Sequence, residues 1–148
     1  MKTRRIIILI ISIFCLCGCV KEKDALSASE FADTIDSLGY EIVDYTNQFS
    51  YAKAAYMVVA DNISITYING NRKYDVEGLF IDECRNVYDK AGEDIEEKTA
   101  GGDNWTYLSV TNDDNFYYVS WIEDTYILVE SSAEDKNVAS KLIRELGY

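Results

Sequence analysis

The chain has 148 residues, with 14 Lys and Arg against 26 Asp and Glu, no His, no Pro and a formal net charge of −12. That length suits one domain with one core, and that charge repels nucleic-acid phosphates and anionic head groups, which excludes DNA or RNA as a partner. Without His there can be no Ser-His-Asp triad, no Cys-His pair and no imidazole ligand for zinc.

The first element is apolar. Met1-Lys2-Thr3-Arg4-Arg5 carries three positive charges and no acid, and Ile6 to Phe14 follows, interrupted only by Ser12. This is the charged and apolar order of an export signal. Ile6–Val20 is a 15-residue stretch, short of the roughly 20 residues a spanning helix needs. The junction Leu16-Cys17-Gly18-Cys19 precedes an abrupt polar turn, Lys21-Glu22-Lys23-Asp24. It resembles the lipobox of bacterial lipoproteins. The resemblance implies a thioether-linked diacylglycerol on Cys19, cleavage just before it, and a lipid-anchored protein on the extracytoplasmic face of the cell membrane. Residues 1–18 are then signal peptide, 19–27 a lipidated tether and 28–148 a single domain. Cys15 and Cys17 leave with the signal, so Cys84 is the remaining free thiol and no intrachain disulfide is expected. The tether, about eight residues, reaches at most about 25–30 Å.

Ser27, three residues before Glu30, forms a capping box, and Leu26 with Phe31 has the spacing of a hydrophobic staple. Phe31, Ile35 and Leu38 share one helical face, and Gly39 supplies the stop. A strand is expected over Tyr40–Thr46 and a loop over Asn47–Lys53. Tyr56–Ala60 and Ile63–Ile68 read as a hairpin about Asp61-Asn62. Val76, Leu79, Phe80, Cys84, Val87, Tyr88 and Ala91 follow a helical period that ends at Gly92. "EDIEEKTAGGDN" reads as a charged loop. Strands follow at Trp105–Thr111, Phe116–Ile122 and Thr125–Ser131, then a helix over about Ala133–Leu146 with Val138, Ala139, Leu142, Ile143 and Leu146 inward and a capping-box pair at Ser131 and Glu134.

The expected order is α-β-β-β-α-β-β-β-α: an α+β fold with an antiparallel six-stranded sheet covered by helices on one or both faces. "IDSLGY" (Ile35–Tyr40) echoes "IRELGY" (Ile143–Tyr148), as an αβββ duplication would. The element order resembles Mog1/PsbP-like domains. The strand Asp124-Thr125-Tyr126-Ile127-Leu128-Val129 with a helix ending Leu146-Gly147-Tyr148 also resembles small lipoproteins of low-GC Gram-positive bacteria, which implies no particular activity.

Few residues invite chemistry. Cys84 lies on the apolar helix face, where burial raises a thiol's pKa and packing outweighs nucleophilic use. The acid pairs Glu93-Asp94, Glu96-Glu97, Asp113-Asp114 and Glu123-Asp124 lack the spacing of a calcium loop, and two of them are turns. Gly101-Gly102 lacks the context of a phosphate loop. No metal or cofactor is expected. The aromatics Trp105, Tyr107, Tyr117, Trp121 and Tyr126 remain as candidate binding residues, on a sheet where core packing competes with a stacking platform. The expectation is a non-enzymatic binding or interaction module with a protein or small-molecule partner. The alternatives are a small extracytoplasmic ligand carrier with an aromatic pocket, and a carboxylate-dependent hydrolase.

Overall fold

A computed structural model describes residues 22–148. The export signal and the Cys19 lipobox lie outside the described residues.

The chain is α+β. Helix α1 (Ala28–Ser37) leads into β1 (Ile42–Asp44), a 3-10 turn (Thr46–Gln48), β2 (Ala52–Ala60) and β3 (Ile63–Gly70). Helix α2 (Lys73–Ala91) follows, then β4 (Glu96–Gly101), β5 (Trp105–Thr111), β6 (Asn115–Ile122), β7 (Thr125–Ser132) and α3 (Lys136–Glu145). The seven strands form one antiparallel sheet in the order β1-β2-β3-β7-β6-β5-β4. The six-stranded expectation is therefore corrected to seven. The extra strand, β4, was expected to be loop: every one of its residues is exposed, so its pairing with β5, not burial, makes it a strand.

The sheet is covered on both faces. Phe31 and Ile35 of α1 and Ala139, Leu142 and Ile143 of α3 pack with Val58, Ile65, Tyr67, Tyr118, Ile127 and Val129. Val76, Val87 and Ala91 of α2 pack with Ile68, Leu108, Val110, Tyr117, Val119 and Tyr126 on the other face. This explains why β6 and β7 do not alternate between apolar and polar residues: both their faces are interior. Burying each fully enclosed Ile, Val or Phe here is worth about 1.5–3 kcal/mol.

The helix ends obey local chemistry. Ser27 and Glu30 make the capping box, each side chain meeting the other residue's backbone N–H, and the Tyr67 hydroxyl donates to the Leu26 carbonyl at 2.6 Å. Gly39 and Gly147 have φ of 79° and 78°. In both cases the following Tyr donates its N–H five residues back, Tyr40 to Ile35 at 3.2 Å and Tyr148 to Ile143 at 3.1 Å. The echoed hexapeptides are thus one helix-stop motif used twice. Both copies bury their Ile on the same sheet face.

Several local expectations are corrected. Leu38 is 37% exposed at the C-cap, Val138 is 50% exposed, and Tyr88 is 38% exposed. The capping box expected at Ser131 and Glu134 does not form: α3 starts at Lys136 with Asp135 as an N-cap that makes no side-chain cap bond, and Ser132 closes the turn before it. Ser132 Oγ accepts from the Asp135 N–H at 3.1 Å and donates to the Asp135 carboxylate at 2.8 Å.

Candidate functional site

The sheet divides the five candidate aromatics. Strand register puts Tyr117, Trp121 and Tyr126 on the α2 side. There Tyr117 and Tyr126 are buried, and burial pushes the Tyr126 hydroxyl well above the ordinary phenol range. The Lys73 ammonium lies 4.9 Å from the Trp121 ring centroid. These three hold the core and do not form a platform. Trp105 and Tyr107 face the opposite way. Trp105 stacks on Tyr107 with centroids 6.3 Å apart, and Tyr107 stacks on Tyr118 at 5.3 Å. Trp105 and Tyr118 are buried and Tyr107, the middle ring of the ladder, is half-buried and the most accessible of the three.

Beside that ladder lies a hollow of about 340 Å³. Its origin is in the register. Ala100 and Ser120 flank Tyr107 across the sheet, and Ser109 sits between Lys98 and Tyr118. Small residues next to large rings leave a depression that α3, whose facing position is Ser140, does not fill. The floor is Tyr107, Phe116 and Tyr118. The wall is α3, where Lys136, Ser140 and Arg144 recur at the i, i+4 spacing of one helical face.

The charge of the lining is the opposite of the molecule's. Lys23, Lys98, Lys136 and Arg144 line the hollow, and among the described residues no Asp or Glu does. The Glu96 carboxylate reaches its rim from β4 and bridges two of the cations, Lys98 Nζ at 2.9 Å and Lys136 Nζ at 3.3 Å. Hydrogen bonds from these two lysines hold the Glu96 carboxyl below its usual range. Among the described residues Lys23 and Arg144 have no ion-pair partner. The Lys23 ammonium stands 4.5 Å over the Trp105 ring, and burial lowers its pKa.

Lys23 is held there by its backbone. Its N–H donates to Asn104 Oδ1 at 2.9 Å, and its carbonyl accepts from Asn104 Nδ2 at 2.7 Å. Asn104 is itself tied to the β6–β7 turn, where its carbonyl accepts from the Glu123 N–H at 2.8 Å. One amide side chain thus fastens the segment before α1 to the end of the sheet that holds the hollow.

The other sequence candidates do not converge. Cys84 is half-buried in the α2 cluster. Burial, then the nearby Glu83 and Glu97, push its thiol up to about 11. Asp113-Asp114 and Glu123-Asp124 lie at turns, and Asn112 Oδ1 accepts from the Asp114 and Asn115 N–H groups. Glu96 and Glu97 point to opposite faces of β4, as neighbours on a strand must. Among the described residues no group of acids and cysteines is arranged to hold a metal ion, and no helix is long and apolar enough to cross a membrane.

Sequence reading found Tyr107 and missed the cations. The visible signals were the Lys136–Ser140–Arg144 spacing and the alternation of Glu96 and Lys98. Their meeting depends on β4 being a strand. Comparison with protein-family models, curated proteins and solved structures found no match.

Proposed function

We propose that the chain is a membrane-anchored, extracytoplasmic, non-enzymatic binding module, and that the hollow between β4, β5, β6 and α3 is its binding site. The observation that carries the reading is the lining: a half-exposed ring on a stacked aromatic ladder, ringed by four cations in a chain of net charge −12. Its volume lies at the small end of ligand pockets. The anchoring rests on the lipobox, and the Asn104 clasp fixes where the chain beyond it meets the domain. Cys19 is four residues from Lys23, so a lipidated Cys19 holds the hollow within about 14 Å of extended chain from the membrane surface.

A carboxylate-dependent hydrolase is less well supported. Glu96, the carboxylate at the hollow, has its pKa displaced downward, opposite to what a proton donor needs at neutral pH. A carrier that encloses its ligand suits the site less well, because the hollow opens to solvent beside the exposed strand β4. Helices on both faces of an antiparallel sheet also suit the Mog1/PsbP-like arrangement that the element order resembles, with one strand added.

Two measurements test the reading. Intact mass analysis of the native protein should show residues 1–18 absent and a diacylglycerol on Cys19. Cys19→Ala should accumulate as unprocessed precursor, and an unacylated native protein would end the anchoring proposal. Native mass spectrometry of gently extracted protein should reveal a small-molecule adduct that is lost in Tyr107→Ala. An adduct that Tyr107→Ala retains moves binding away from the hollow.

A further inference from the structure

We infer that the hollow takes a small anion, a phosphate or carboxylate group carried on a ring-sized body, and that the Glu96 carboxylate is the molecule's own stand-in for it. The inference rests on the proposed binding role of the hollow and names the chemistry of its ligand.

The position of Glu96 is the main support. A carboxylate already sits between the Lys98 and Lys136 ammonium groups at 2.9 and 3.3 Å, the geometry in which an ammonium pair clamps an oxyanion. Glu96 itself is exposed on an edge strand, so it can swing out to solvent when another anion enters. The remaining cations extend the clamp. Arg144 lies two α3 turns beyond Lys136 on the same helical face and offers a planar fork of donors suited to phosphate or carboxylate. Lys23 faces the hollow from the opposite bank with its ammonium over Trp105. A cation held over a ring keeps its charge available to a second partner, since the ring supplies no hydrogen-bond acceptor. The hydroxyls of Ser109 and Ser140 supply neutral donors between the cations, and the Tyr107 ring supplies a flat apolar surface beside them.

The molecule's overall charge does not cancel this arrangement. Carboxylates beyond about 10 Å are screened at ordinary salt, and Glu96 is the acidic side chain paired with the cations of the hollow. The overall negative charge instead makes the site selective: anions are repelled from the rest of the surface and favoured at one place.

An anionic head group in the membrane and a soluble phosphate share this chemistry, so the test carries both. The full-length lipidated protein, in a neutral detergent, is titrated calorimetrically with glucose 6-phosphate and glucose, and separately with dihexanoyl phosphatidylglycerol and dihexanoyl phosphatidylcholine. The proposal expects the anionic member of at least one pair to bind about tenfold or more tighter than its uncharged or zwitterionic counterpart. Binding confined to the first pair identifies a soluble phosphate, and binding confined to the second a lipid head group. Lys136→Gln and Arg144→Gln should each weaken anion binding by about tenfold, the usual scale for one charge-assisted hydrogen bond. Glu96→Gln should tighten it by about threefold or more, because it removes the competing charge while keeping the side chain's shape. Circular dichroism melts of the three variants separate lost binding from lost fold, and the strengthening in Glu96→Gln cannot arise from unfolding.

Equal affinity for glucose and glucose 6-phosphate that falls in Tyr107→Ala but ignores all three charge variants would overturn the anion inference and leave the binding role of the hollow standing. If no probe binds, the anion inference fails, and the native adduct lost in Tyr107→Ala decides the binding role of the hollow separately. Weaker anion binding in Glu96→Gln would also sink the stand-in role.

Discussion

Cys84 shows how far one side chain's surroundings decide its chemistry. It sits on α2 among apolar neighbours of the sheet, and burial pushes its thiol from an ordinary value near 9 to about 11. The thiolate is the reactive form, so at pH 8 the folded protein should react with iodoacetamide roughly a hundredfold more slowly than a free cysteine, by the ratio of thiolate fractions. The raised value also sets a sign for stability. The folded state holds the proton more tightly, so this contribution is intact below the ordinary thiol pKa and is lost as pH climbs from about 9 through 11. A serine in place of Cys84 should remove the alkaline part of that loss, read from urea midpoints between pH 8 and 11. Phe31 is a second residue whose role is local and checkable. It is fully buried and stacks on Tyr67 with ring centroids 4.4 Å apart. Phe31→Ala should cost about 3–5 kcal/mol, measured by denaturant unfolding, with α1 losing amide protection first.

The elements divide into those that announce themselves locally and those that do not. Ser27 with Glu30, Gly39, the Asp61-Asn62 turn and the apolar row of α2 were legible because each is a short-range instruction, complete within a few residues. Strand β4 was not. "EEKTAG" has no buried position and no apolar alternation, and its pairing partner β5 supplies the hydrogen bonds that define it. Hydrogen exchange should therefore show β4 amides losing protection well before those of the central strands β3 and β7, since an exposed edge can open without disturbing the core. The site was half legible for the same reason. Tyr107 stands out as an aromatic in a strand, while Lys23, Lys98 and the α3 pair Lys136 and Arg144 come from three separate segments that only the fold brings together. The two helix stops allow a cleaner test. An added Cβ at Gly147 meets nothing within 4 Å, while φ is +78°. Gly147→Ala should thus cost about 1 kcal/mol through backbone strain alone, seen as a lower urea midpoint with an unchanged slope.

For the molecule as a whole, the two sheet faces are treated differently. α2 covers one face, while α1 and α3 share the other and leave the β4–β5 end open. The net charge of −12 keeps the rest of the surface repulsive to anions, and the four cations gather at that open end. Raising salt should weaken anion capture at the hollow while leaving the fold intact, because the clamp is solvent-accessible and the core is apolar. Calorimetric titrations at 20 and 300 mM NaCl, set beside melts in the same buffers, would read the two separately.

Asn104 would give a domain anchored at Cys19 a fixed bearing. A chain grasped on both its N–H and its carbonyl at Lys23 cannot pivot freely at that point, so the domain is not a ball on a string. If Cys19 carries the proposed lipid, only a few residues away, the end of the sheet that holds the hollow lies close to the lipid. In that arrangement a bulky protein would have little room to slip beneath, and whatever reaches the hollow would have to be small or already lie in the membrane surface.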